Sequence, residues 1–148
     1  MEHVREDRLG NPGYVWTEST LGGNPVSSAA ALATLDELVR PGGYEQLDRP
    51  GTYLRAQLRS VLARRHVEAQ VIGHGPLAQV VFTSEPVRDY CSMLRSDRTR
   101  ARRTMLRPLE LGVFLNPMGT KLYLSLAHDD ESCRTLADRL DLALADRV

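Results

Sequence analysis

Apolar positions keep helical spacing through the first part of the chain and switch to alternation further on. From Val26 to Val39 the residues are apolar or small almost throughout, and the segment reads as a helix. Ser27, Ser28, Ala29, Ala30, Ala31 and Ala33 make one side of it thin, so that another backbone can come close. Asn24 suits the N-cap and Pro25 the first helical position, where no N–H is needed. Gly22 and Gly23 supply a sharp turn ahead of it. Pro41-Gly42-Gly43 ends this helix and opens a second, in which Leu47, Leu54, Leu58, Val61 and Leu62 recur at helical spacing to about Arg65. Pro50 falls inside that pattern, where a proline costs about 3 kcal/mol or kinks the helix.

Beyond residue 66 the period shortens. Val67 to Ile72 reads as a short strand, Gly73-His74-Gly75-Pro76 as a turn and Leu77 to Thr83 as a second strand. Ala78, Val80 and Phe82 fall on one face of that strand and Leu77, Gln79 and Val81 on the other. With both faces largely apolar, it is expected inside its sheet. Arg98 to Leu111 reads as a helix with Pro108 near its end, and Arg98, Arg100, Arg102, Arg103 and Arg107 as its solvated face. Gly112 to Leu115 is expected as a strand, turned back by Asn116-Pro117-Met118-Gly119 onto a partner strand, Leu122 to Ser125. Ala127-His128-Asp129-Asp130 caps a last helix with Cys133, Leu136, Ala137, Leu140, Ala143 and Leu144 as its inner stripe. Residues 1–17 are charged, then rich in glycine and asparagine; they read as an arm or connector, with Tyr14, Val15 and Trp16 as a short edge strand at most. The expected class is α+β: long helices first, then a small, mostly antiparallel sheet packed by the last helices.

Composition narrows the functions. A chain of 148 residues buries one core, or one small domain plus an arm. The formal net charge of +0 favours neither nucleic acid nor an acidic membrane as partner. No apolar run is long enough to span a bilayer, and Met1 to Asp7 is no signal peptide, so a cytoplasmic protein is expected. Cys91 and Cys133 fit no metal or redox spacing and are expected as reduced, semi-buried thiols; no metal site is expected. Lys121 is the only lysine; every other basic side chain apart from histidine is arginine.

Ser19-Thr20-Leu21-Gly22-Gly23-Asn24-Pro25, followed by Ala29-Ala30-Ala31-Leu32-Ala33-Thr34-Leu35, resembles the Gly-Thr-aromatic/Leu-Ser-Gly-Asn-Pro segment of class III pyridoxal-phosphate aminotransferases. The resemblance is greatest to the branch containing glutamate-1-semialdehyde 2,1-aminomutase. Ser19 departs from the glycine usual before the threonine. Three further segments stand in register. Pro41, Gly42, Tyr44, Glu45, Leu47 and Gly51 match the family's Pro-Gly-x-Tyr-Glu-x-Leu with a later glycine, Pro50 being the departure. Glu85-Pro86-Val87-Arg88-Asp89-Tyr90 with Ser96-Asp97 resembles the branch's Pro-Val-Arg-Asn-Tyr…Ser-Asp. Gly112-Val113-Phe114-Leu115 and Leu124-Ser125-Leu126-Ala127-His128 resemble the C-terminal small domain.

The resemblance implies the C-terminal small domain of a fold-type I pyridoxal-phosphate enzyme. Residues 1–17 would be an arm or connector, 18–40 the end of the cofactor domain, and 41–148 the small domain. It implies that Thr20 binds the cofactor phosphate of the neighbouring subunit, and that the helix N-terminus at Asn24 offers an anion-friendly site beside it. The partners it implies are a second copy or a full-length aminotransferase subunit, with a small amino donor and a keto or aldehyde acceptor. Transamination also needs a Schiff-base lysine and a carboxylate at the pyridine nitrogen. The family's lysine lies upstream of the Thr20 motif, so Lys121 does not match it and reads as an edge-strand lysine that deters edge pairing. No aspartate here sits in the pyridine-contacting motif. No catalytic residue is therefore expected in this chain, and the large domain is expected to be missing from it. His128 reads as a satisfied histidine beside a helix N-terminus, and Arg88 as a surface ion pair or a substrate-carboxylate donor. Met118-Gly119-Thr120-Lys121 stands where the aminomutase has a Gln-Phe-Glu-like string, which points to a transaminase of unspecified substrate. The rival reading is a non-catalytic remnant or interaction module.

Overall fold

The computed structural model describes residues 22–116 and 120–145, in two compact units, Met1–Arg40 and Pro41–Val148. In the first unit the described structure is one helix, α1 (Pro25–Leu38). Asn24 caps it and Pro25 opens it, as their chemistry dictates. None of its residues is buried: Val26, Leu32, Leu35 and Val39, the residue after its end, are between 53% and 78% exposed.

The second unit holds a core. Its elements are α2 (Gly43–Arg64), β1 (Gln70–Ile72), β2 (Leu77–Val81), α3 (Tyr90–Leu94), α4 (Arg98–Glu110), β3 (Lys121–Tyr123) and α5 (Asp130–Ala145). The three strands form one antiparallel sheet in the order β1-β2-β3, so β2 is central, as its two apolar faces require. Val71 lies opposite Val80 and Ala78 opposite Leu122; these four make the buried face. Leu54, Leu58 and Leu62 of α2 and Cys133 and Leu140 of α5 close the core with Phe82 and Met105. Burying a leucine such as Leu54 or Leu58 contributes roughly 1.5–3 kcal/mol. Among the described residues no helix is long and apolar enough to cross a membrane.

Pro50 does not break α2. The helix runs through it unbroken, with the ring buried and its carbonyl accepting a weak bond from the Cys133 thiol. The next residue explains why the helix lies so close to the sheet. A Cβ on Gly51 would stand 1.9 Å from the carbonyl oxygen of Gly75 in the β1–β2 turn, so only glycine permits this approach.

The expected strand at 112–115 is absent. Gly112, at φ +82, instead terminates α4. Its N–H donates to Leu109 O and that of Val113 to Pro108 O, the paired bonds of a Schellman cap, which spend the backbone groups a ladder would need. Leu122 and its neighbours consequently pair with β2 and not with residues 112–115, and this strand ends at Tyr123. The same closure shortens the strand expected from Val67. Val67 N–H donates to Leu62 O in capping α2, and the ladder starts only at Gln70. The strand expected to Thr83 ends at Val81. The short helix α3 has no counterpart in the hydrophobic pattern; it is built by a local capping box between Asp89 and Ser92. The two thiols differ rather than sharing partial burial: Cys91 is exposed and Cys133 buried.

Candidate functional site

Thr20, the residue that the resemblance ties to the cofactor phosphate, lies outside the described residues, as does Ser19. The helix that follows is described, and its start corrects one expectation. Asn24 Oδ1 accepts from Val26 N–H at 2.9 Å and from Ser27 N–H at 3.3 Å, and the Asn24 carbonyl accepts from Ser28 N–H at 2.9 Å. Pro25 has no N–H. The first turn of α1 therefore keeps no free backbone N–H for an anion, because its own cap has taken them. The field of the helix and the exposed hydroxyls of Ser27 and Ser28 remain, and any backbone N–H bond to a phosphate there has to come from residues ahead of Pro25.

A second candidate lies in the other unit. A groove of about 650 Å³ runs between residues 112–116, β3 and the start of α5, and Lys121, His128, Asp129, Glu131 and Cys133 line it. His128, Asp129 and Cys133 are accounted for locally, and Glu131 is exposed in the first turn of α5. Lys121 is exposed on the edge strand β3. His128 Nδ1 accepts from Ser125 N–H at 3.0 Å and lies 3.0 Å from Ser125 Oγ, which places the neutral ring's proton on Nε2. Asp129 Oδ1 accepts from Ser132 N–H at 2.8 Å and Ser132 Oγ at 2.7 Å. Those bonds, the hydroxyl's first, hold the Asp129 carboxyl below its usual value. Burial, reinforced by Asp130 and Asp129, pushes the Cys133 thiol up and leaves it protonated.

These residues do not fit pyridoxal phosphate. An internal aldimine needs a lysine amine within a pocket and a carboxylate free to hold the pyridine nitrogen. Lys121 is solvent-exposed on an edge; of the two carboxylates lining the groove, Asp129 is committed to capping α5 and Glu131 is exposed to solvent in its first turn. Among the described residues no group of His, Cys, Asp and Glu side chains is placed to hold a metal ion either.

The other polar candidates are on the surface. Arg88 is exposed, with its backbone N–H donating to Ser92 Oγ at 2.9 Å. Arg98, Arg100, Arg102, Arg103 and Arg107 are exposed, as a solvated face requires. Within that set Arg100 sits over the Phe82 ring, 5.4 Å from its centroid, and Arg107 pairs with Glu110.

Arg55 is the residue the hydrophobic pattern missed. It is only 7% exposed and donates through Nη1 to Gly75 O at 2.6 Å and to Leu77 O at 2.9 Å, and through Nη2 to Thr52 Oγ1 at 2.9 Å. Together with Gly51 it fastens the β1–β2 turn to α2. The available signal was an arginine four residues after a helical glycine, beside the Leu54–Leu58 stripe.

Comparison with known proteins covers nearly the whole chain. Relatives include the glutamate-1-semialdehyde 2,1-aminomutases of Desulforudis audaxviator and Opitutus terrae. The first is 36% identical over 126 residues, which cover 84% of this chain and 29% of that protein. The second is 34% identical over 140 residues, covering 91% and 33%. An omega-transaminase from Sphaerobacter thermophilus superposes with a TM-score of 0.76 at 28% identity over 95% of this chain and 32% of its own. A glutamate-1-semialdehyde-aminomutase from Pseudomonas aeruginosa PAO1 superposes at 0.78, and at 21% identity it speaks for the fold alone. The chain thus spans about three tenths of the length of the relatives it matches. The sequence profile of the family described as Aminotransferase class-III matches residues 8–144, and the chain belongs to that family.

Proposed function

We propose that this chain is the C-terminal portion of a pyridoxal-phosphate-dependent class III aminotransferase, moving an amino group from a donor to a keto or aldehyde acceptor. The observation that carries the reading is the family match over residues 8–144 combined with coverage of only about three tenths of each relative. When bound, the cofactor supplies the electron sink for breaking bonds at the amino-bearing carbon. On this reading residues 18–40 close the cofactor domain, and the unit from Pro41 to Val148 is the small domain. Thr20 grips the phosphate across a subunit boundary with its hydroxyl. The cap at Asn24 fits this division of labour: with the first backbone N–H groups of α1 occupied, backbone contacts to the phosphate fall to residues before Pro25. The Schiff-base lysine comes from polypeptide other than residues 22–116 and 120–145, because Lys121 has an edge-strand setting.

Two observations bear on the reaction. Met118-Gly119-Thr120-Lys121, in place of the aminomutase's Gln-Phe-Glu-like string, favours a transaminase. The aminomutase names of the curated relatives, at 34–36% identity, favour transfer within one substrate. We adopt the transaminase and keep the aminomutase as the second reading.

The test has two arms. Reduction of the 148-residue chain with borohydride in the presence of pyridoxal phosphate should leave Lys121 unlabelled by peptide mass spectrometry. Stoichiometric labelling there would overturn the division of labour. In a polypeptide that joins these residues to the remainder of the fold, Thr20→Val removes one charge-assisted bond worth about 1.5–3 kcal/mol. That should weaken cofactor retention roughly tenfold to a hundredfold. Unchanged retention on dialysis with normal amino transfer would leave Thr20 as a turn residue.

A further inference from the structure

We draw no further inference here: the strongest candidate, the groove between residues 112–116, the edge strand β3 and the start of α5, has His128 and Asp129 already committed to local bonds, and nothing in the structure shows what covers its exposed Phe114 and Tyr123.

Discussion

α1 and α2 are both entered through a glycine turn, yet they use their apolar residues in opposite ways. α2 buries eight of its 22 residues, among them Leu54, Leu58, Val61 and Leu62, along one stripe, and turns charge to water on the other side. α1 buries none of its 14, and its Leu, Val and Ala residues lie all around its axis. A helix with a stripe makes a core with its own neighbours. A helix apolar on every side holds in water only when something covers it. The contrast places the buried core in the unit after residue 40 and leaves α1 composed for a covered setting. On the proposed function that cover is the rest of the cofactor domain or a second subunit.

The comparison is broken most readily at Leu54. Leu54→Ala should lower unfolding free energy by about 2–5 kcal/mol, since the side chain is fully buried. Leu32→Ala in α1 should change it by no more than about 0.5 kcal/mol in dilute solution. Urea unfolding of the two variants reads both. Equal losses would mean that α1 belongs to the same cooperative core. A loss for Leu32→Ala that grows with protein concentration would identify self-association as the cover.

Gly51→Ala comes next. Its methyl would collide with the Gly75 carbonyl, which Arg55 also holds, so the turn has to move off α2. A cost of about 1–3 kcal/mol is expected from such overpacking. Thermal unfolding, with hydrogen exchange at residues 70–81, checks it; an unshifted midpoint would show that the turn is held loosely.

Asn24→Ala removes the acceptor for Val26 and Ser27 N–H and should cost α1 about 1 kcal/mol. Because α1 has no packed face to compensate, exchange at residues 26–38 should accelerate while α2 is untouched. Asn24→Asp should retain protection. If both variants exchange alike, the cap is not what holds α1.

The smallest effect concerns acid. Asp141 bonds Arg65 Nε at 2.9 Å and Nη2 at 2.7 Å, and meets Arg64 at 3.0 Å, joining α5 to the end of α2. The hydrogen bonds from Arg65, with a smaller part from Arg64, hold its carboxyl below the ordinary value. A carboxyl depressed in the folded state contributes stability above its unfolded value, about 3.9, and that contribution disappears as pH falls through the lower folded value. Asp141→Asn should therefore be less stable at neutral pH and lose less on acidification. Unfolding midpoints measured across that acid range test it, and parallel curves for both proteins would remove Asp141 from the acid response.

Much of the second unit was legible because each element carries its own period. The stripes of α2 and α5 and the two apolar faces of β2 each name a partner surface, and the packing follows them. The family was legible through short segments in register, which the profile match over 8–144 bears out. Two of the strand misreadings share one cause. At Val67 and Gly112-Val113 the side chains suit a strand, but the backbone N–H groups are taken by the preceding helix. Hydrophobic pattern records what side chains prefer and carries no account of which carbonyl claims an N–H. The end of α2 was read correctly at about Arg65 although His66, at φ +52, occupies the left-handed cap position that glycine usually marks.

For the candidate site the division is sharper. The motif around Thr20 was readable as residues, and the anion-friendly helix start was a reasonable expectation from a cap next to a proline. That the cap satisfies those same donors depends on where Asn24 Oδ1 points, which is a matter of geometry. Sequence by itself determined the periods, the turns and the family. Tertiary structure decided which edge each strand found, that Gly51 and Arg55 lock a turn twenty residues away, and which polar groups were already spent. Those outcomes depend on atoms far apart in the chain competing for the same few hydrogen bonds and the same space, which no local pattern encodes.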